Sequence, residues 1–373
     1  MNIAILSWLH NGNYGTVLQA YALQRYLRNQ GYNVNNIDLH PTVFEKTKNL
    51  IIQRNPLNLF LEKFEDMLNR RACSNKKELE RKNQRIDEFL ETNLNLTKKY
   101  RRFVELKGIG NAYDTYICGS DQIWSPTYFS PSYFFDFVED SCRKISYACS
   151  FGVKTIPEFK VYRIQRLIKR FQAVSVREKS GADIMEALGF ARPVINVDPT
   201  MLLTSEEWSS VVADRLIEEN YMFCFFLSYN KQYWEKCIRT SKELGLKLVF
   251  VPKTRESYSI EGEKIYDAGP SEWVSLIKHA KLVATDSFHG CVFSIIHRRN
   301  FMAFKRFDDN KKESRNTRVY NLLETYGLGK CLVNDIDSYK PVNIFSSDYQ
   351  AVIDLVNSKA NESKTWLKTA IEA

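Results

Sequence analysis

The stretch Asp286-Ser287-Phe288-His289-Gly290 puts a carboxylate, a hydroxyl, an imidazole and a glycine within little more than one turn of chain. An imidazole has an unperturbed pKa of about 6.5, so His289 is the side chain here that can give and take a proton near neutrality. Lys281 to Ala284 before it reads as a short buried strand, and Cys291 to Ile296 behind it keeps helical apolar spacing. Thr285, Asp286 and Ser287 are N-cap residue types, which places the polar group between a strand's carboxyl end and a helix's amino end. In an open α/β sheet that crevice binds ligands, and the unpaired N–H groups of the helix start suit a phosphate or a carboxylate. A histidine beside apolar residues also serves as an ordinary hydrogen-bonded structural residue. This stretch alone is compatible with both roles.

Other polar clusters fall at strand ends in the same way. Asn2 to Trp8 is a predicted strand that runs into Asn11-Gly12-Asn13-Tyr14-Gly15, and the apolar face Val17, Leu18, Ala20, Tyr21, Leu23 and Leu27 predicts a helix over 16–29. With a strand at 33–38 this is a β-loop-α-β unit whose glycine-bearing loop brings backbone amides close to a ligand. It is neither GxGxxG nor a Walker loop, so no dinucleotide or ATP site is inferred. A strand at 114–118 ends in Gly119-Ser120-Asp121-Gln122-Ile123-Trp124, one at 173–176 ends in Arg177-Glu178, and one at 194–197 ends in Asp198-Pro199-Thr200. Asp198 is read as a turn cap. A second alternation follows: strands at 221–228, 247–251, 281–284 and 300–304, with helices at 232–244, 272–280, 318–326 and 348–369.

Two successive βαβα halves predict two doubly wound, Rossmann-like α/β domains facing a cleft, residues 1–203 and 204–373. A chain of 373 residues favours two cores over one. Residues 44–108 read as a helical insert in the first domain and carry 16 Lys or Arg against 10 Asp or Glu, so +6 of the chain's +9 sits there. Such a segment meets an anionic membrane, nucleic acid or water; no nucleic-acid motif supports the second. The eight cysteines form no CxxC and no metal spacing, which predicts reduced thiols in a cytoplasmic protein without a structural metal. No apolar run reaches the roughly 18–20 residues of a membrane span.

Taken in order, Asn13-Tyr14-Gly15 with Leu18-Gln19-Ala20-Tyr21-Ala22-Leu23, Gly119 to Trp124, Ser175-Val176-Arg177-Glu178, Asp198-Pro199-Thr200 and Asp286 to Gly290 resemble the polysaccharide pyruvyl transferase family. Ser314-Arg315 followed by Asn321-Leu322-Leu323 is similar to its late motif. The resemblance implies a GT-B-like fold and transfer of pyruvate from phosphoenolpyruvate to sugar hydroxyls of a cell-surface polysaccharide or its lipid-linked precursor, closing a ketal. It implies His289 as general acid–base, with Arg177, Ser287, Gly290, Ser314 and Arg315 on the donor side. Asn13, Gly15, Asp121, Gln122 and Trp124 would line the acceptor side, and phosphoenolpyruvate is a substrate, so no further cofactor and no metal is implied. Characterised members carry an arginine two residues before the histidine, where this chain has Ser287; Arg315 or a lysine of 305–312 is the expected replacement.

For two of these residues a structural role competes. Trp124 is either a sugar-stacking face or a core anchor, and Arg177 either an anion grip or a salt bridge between domains. The alternative activities are a GT-B-type glycosyltransferase using a nucleotide sugar, or a non-enzymatic scaffold that docks on a membrane through the basic insert. The enzyme reading places the protein in the cytoplasm, with the insert bringing it to the inner membrane face.

Overall fold

The computed structural model describes residues 1–42, 76–309, 316–342 and 349–373. Its first sheet has six parallel strands, β1 (Asn2–Leu6), β2 (Asn33–Asn36), β3 (Thr115–Asp121), β4 (Arg143–Cys149), β5 (Ala173–Val176) and β6 (Val194–Ile195), in the order β2-β1-β3-β4-β5-β6. The second has five, β7 (Tyr221–Phe225), β8 (Lys247–Phe250), β9 (Glu263–Lys264), β10 (Leu282–Thr285) and β11 (Asn300–Ala303), in the order β11-β10-β7-β8-β9. Among the described residues every pairing between these strands is parallel. Parallel strands are covered on both faces, which is why β3 and β10 are buried at every position instead of alternating. The edge strand β9 is charged at both of its positions and carries no apolar run to mark it in the sequence, unlike the equally short β6.

The helices of nine or more residues among the described ones are α1 (Tyr14–Asn29), α2 (Lys76–Asn93), α3 (Glu158–Ile168), α4 (Lys179–Ala187), α5 (Lys231–Glu243), α6 (Pro270–His279), α7 (Phe288–Ile296), α8 (Thr317–Thr325) and α9 (Tyr349–Glu372). Strand order reverses between β1 and β3 in the first sheet and between β7 and β10 in the second. Loops leaving the carboxyl ends of the two strands at such a point diverge and open a crevice. The loop from Ser7 to Asn13, the turn at Gln122 to Trp124 and the Asp286 to His289 junction all lie at these reversals.

The two lobes are not separated by solvent beneath the cleft. One apolar core runs from Ile3, Val17 and Leu23 through Phe225, Trp273 and Phe293. Tyr14 crosses from α1 into the second lobe, stacks on Trp273 at 5.5 Å and donates its hydroxyl to the Ala268 carbonyl at 2.6 Å. Helix α2 buries Ile86, Phe89 and Leu90, while Arg85 donates to the Asp267 carbonyl at 3.0 Å and pairs with Glu272 at 3.5 Å. Lys82 lies over the Tyr14 ring at 5.1 Å. Those two cations of the basic insert are therefore held between the lobes, while residues 44–75 of it lie outside the described residues. Helix α9 returns to the first sheet, where Arg143 donates to the Ala370 carbonyl at 3.1 Å and Ser363 Oγ accepts from the Val197 amide at 3.0 Å.

Candidate active site

The reversal point of the second sheet is tied together by Asp286. One carboxylate oxygen accepts the Leu227 amide at 2.7 Å and the other accepts the Ser228 amide and hydroxyl, so the loops after β7 and β10 move as one. Burial, opposed by Arg306 and these hydrogen bonds, holds the Asp286 carboxyl above its ordinary range. Ser287 caps α7 and accepts the Gly290 amide at 3.3 Å. Gly290 packs on Thr285, whose Oγ1 lies 2.5 Å from where a Cβ would be. It lets α7 approach β10 and does not line the cleft, contrary to its expected place on the donor side.

His289 projects from the first turn of α7 across to the other lobe. A Cβ on Gly15 would lie 2.1 Å from His289 Nδ1 and 2.3 Å from Cγ, so the imidazole rests directly on the glycine backbone. Gly15 thus seats the catalytic candidate; it does not itself line the cavity. The other ring nitrogen, Nε2, lies 3.5 Å from Asp198 Oδ2 and makes no hydrogen bond. Asp198 does cap its turn, accepting from the Thr200 amide at 3.0 Å and hydroxyl at 2.8 Å, but its second oxygen faces His289 and Arg177. Burial raises the Asp198 carboxyl, and His289, Arg177 and the Thr200 amide together outweigh it and hold the group well below the usual carboxylate range.

Arg177 is the hub beneath this pair. Its guanidinium donates to Asp198 at 2.7 Å and Asp121 at 3.2 Å, lies 3.6 Å from Glu178, and stacks at 4.5 Å on Phe288. With those partners taken up and 2 % of its side chain exposed, Arg177 is a buried organiser of the site instead of the anion grip expected of it. Burial lowers its pKa, yet the three carboxylates raise it above the ordinary value. Asp121 also accepts from Thr16 at 3.2 Å. Its backbone, at φ 62° and ψ −167°, sits in a region essentially reserved for glycine, a strain of about 1–3 kcal/mol that the ion pairs must hold.

The cavity above these residues has a volume of about 480 Å³ and is lined by Asn13, Asp121, Gln122, Ser287 and His289, which the sequence had singled out. Two cations on its wall were missed: Arg306, and Arg318 from the first turn of α8. Arg318 lies 3.6 Å from Asp121, and the Gln122 amide, oriented with its oxygen toward it, accepts from Nη1 at 2.9 Å and Nη2 at 2.6 Å. Ser314 and Arg315 lie outside the described residues. Arg318 follows them closely in sequence, so the charge-rich run was the usable signal.

Trp124 is not a sugar platform. It is fully buried, stacked on Phe134 at 5.1 Å and donating to the Tyr133 carbonyl at 3.4 Å, which makes it a core anchor. The aromatic wall of the cavity is built by half-buried Trp8, Tyr128 and Tyr133, with Trp8 meeting the two tyrosines edge to face at 5.6 and 6.1 Å. His10 stands beside it, with Nε2 2.5 Å from Asp38 and its ring stacked on His40 at 4.3 Å. Among the described residues no group of three or more His, Cys, Asp or Glu is placed to hold a metal ion.

The seat under the imidazole can be checked directly. In Gly15→Ala the new methyl cannot coexist with the ring, and with His289 as the proton-transfer group a displacement of about 1 Å would cost roughly 10²-fold in turnover. The expected result is that loss with anion binding retained, because the atoms nearest the new methyl belong to His289 and not to Arg306 or Arg318; measured turnover within twofold of the parent protein would show that the contact is not used.

Solved structures with a similar course of chain include a putative UDP-N-acetylglucosamine 2-epimerase from Listeria monocytogenes, 10% identical, with TM-score 0.50 over 97% of this chain and 96% of that one. Another is the UDP-GlcNAc 2-epimerase from Methanocaldococcus jannaschii, 10% identical, TM-score 0.46, covering 96% and 100%. The E. coli heptosyltransferase WaaC is 11% identical, TM-score 0.39, covering 87% and 99%. At these identities the likeness concerns the two-lobed fold alone. No curated protein matches the chain. The profile of the family described as polysaccharide pyruvyl transferase matches residues 13–308, which runs from the Asn13 cap through the Asp121, Arg177, Asp198 and His289 network, and the chain belongs to that family.

Proposed function

We propose that the protein transfers the pyruvyl unit of phosphoenolpyruvate to two hydroxyls of one sugar in a polysaccharide or its lipid-linked precursor, at the cytoplasmic face of the membrane. The observation that carries this reading is the His289–Asp198 pair at the floor of a cavity whose wall holds Arg306 and Arg318. Phosphoenolpyruvate has a phosphate and a carboxylate, and guanidinium groups bind both in paired hydrogen bonds. Arg318 and Arg306 take the task expected of the arginine that Ser287 replaces, assisted by the amino end of α7.

In this reading protonated His289 gives its proton to the vinyl CH2 carbon, which becomes the methyl group and leaves an oxocarbenium-like centre at the carbon bearing phosphate. A sugar hydroxyl attacks that centre, its proton passing to the base; the C–O bond to phosphate breaks, and a second hydroxyl of the same sugar closes the ketal. Of the two hydroxyl protons, one replaces the proton given to carbon and the other leaves with inorganic phosphate. Asp198 stabilises the imidazolium without being consumed. On the far wall Trp8, Tyr128 and Tyr133 offer flat apolar surface to the less polar face of the sugar ring.

Thermal shift separates this from the glycosyltransferase reading. Phosphoenolpyruvate should raise the melting temperature while UDP and GDP do not. Arg318→Ala should weaken phosphoenolpyruvate by about 1.5–3 kcal/mol, the range for charge-assisted hydrogen bonds. A shift with UDP or GDP alone would favour a nucleotide-sugar donor, and unchanged donor affinity in Arg318→Ala would remove that arginine from the site.

A further inference from the structure

Helix α3 has two faces. Ile164 and Ile168, with the Lys160 stem, are buried against the first lobe, and on the other side Phe159 is 77 % exposed and Tyr162 76 %. These are the most exposed large hydrophobic side chains among the described residues. They share their face with Arg163 and Arg166, at spacings of three, four and seven from Phe159, and Lys154 and Lys169 are exposed at either end of the segment. Glu158 is the acidic residue at its start, and Asp140 nearby is engaged by Arg170 at 2.8 Å. A surface helix ordinarily turns its aromatics inward, and here the inward face is filled by other residues.

We infer that α3 is a docking surface for an anionic lipid bilayer. Aromatic side chains flanked by cations match the interface of such a membrane: the rings enter the headgroup–acyl boundary and the cations meet lipid phosphates. Charge complementarity decides the occupant: Lys154, Arg163, Arg166 and Lys169 frame the apolar pair, against Glu158 on the helix and Asp136 within reach of Arg163. Among the described residues no helix is long and apolar enough to cross a membrane, so attachment would be peripheral.

The helix is also fixed to the cavity wall. Lys160 donates to the Pro126 carbonyl at 2.5 Å, and the Arg163 guanidinium lies 5.2 Å from the ring of Phe129, a residue that lines the cavity. A bilayer on α3 therefore lies against the segment that forms the aromatic side of the cleft, where a lipid-borne acceptor would arrive. The docking itself is independent of the transfer reaction, so a negative result with phosphoenolpyruvate leaves it standing.

The test is co-sedimentation of the full chain with vesicles of phosphatidylglycerol in phosphatidylcholine, against phosphatidylcholine alone. Binding to the anionic vesicles should fall as salt is added. Arg163→Gln with Arg166→Gln should weaken it about 25-fold, fivefold for each cation at ~1 kcal/mol. Phe159→Ser with Tyr162→Ser should weaken it by roughly tenfold, with an unchanged melting temperature because both side chains are exposed. No sedimentation with anionic vesicles, or equal sedimentation of the parent protein and both double variants, overturns the inference. So does a change of oligomeric state in light scattering with vesicle binding intact, which would assign the face to a second copy of the chain.

Discussion

His289→Gln should lower turnover by about 10²–10⁴-fold, the contribution typical of a general acid–base group, while phosphoenolpyruvate affinity and thermal stability change little. Glutamine fills much of the same space over Gly15 but cannot cycle a proton near neutral pH. Affinity should survive because Arg306, Arg318 and the start of α7 remain, and stability should survive because Nε2 makes no hydrogen bond to lose and Asp198 keeps its bonds from Arg177 and Thr200. A histidine kept for structure predicts the reverse, with a fall in melting temperature and turnover falling only as far as folding does. Phosphate release in the presence of acceptor, measured beside a melt, distinguishes the two; near-normal turnover in a folded variant would take His289 out of the mechanism.

The second large effect is on stability, at Asp198. Asp198→Asn removes the closest partner of the buried Arg177 guanidinium and leaves Asp121 and Glu178 to balance it. Breaking a buried ion pair from one side costs about 3–5 kcal/mol. At about 2 °C per kcal/mol, suited to a long chain, the melting temperature should drop by roughly 6–10 °C. The folded-state pKa of Asp198 lies below its unfolded value of about 3.9, so its stabilisation is present above that pH and is lost as pH falls through the folded value. Asp121, also lowered against its own burial by Arg177, His289 and Arg318, acts in the same direction. Asp286 is raised and acts oppositely, its contribution being lost as pH rises. The gap between parent protein and Asp198→Asn in urea midpoint should therefore narrow as pH falls below about 4. A gap that is constant from neutral to acidic pH would mean the ionised carboxylate is not what holds the network.

Much of this architecture is legible from pattern alone, because buried parallel strands and amphipathic helices write themselves into local sequence. The Lys281 to Ile296 stretch gives its strand, cap and helix directly, and the polar clusters after β1, β3 and β10 mark the ends that meet at the cleft. What local pattern cannot carry is which partner a side chain finds across the fold. Arg177 and Asp198 are distant from Asp121 in sequence, and only the sheet order brings the three together, turning an expected anion grip and an expected turn cap into one buried network. Trp124 and Trp8 both follow a strand of the first sheet. One is closed off by Phe134 and the other is left on the cavity wall, a difference set by the Pro126 to Phe134 segment and not by either residue's neighbours. Local pattern marks Arg318 only as a helix position, since its place on the cavity wall depends on how α8 packs.

The unbroken core under the cleft bears on how such a protein can diversify. Tyr14 of one lobe is wedged against Trp273 of the other, and the histidine of the second lobe is seated on a glycine of the first. Neither half carries a finished site or a closed hydrophobic surface, so exchanging one lobe for a homologue's would expose the core and unseat the imidazole together. New acceptor specificities are accordingly expected to arise by replacement of rim loops, Trp8 to Asn13 and Thr127 to Tyr133, around an inherited and indivisible floor.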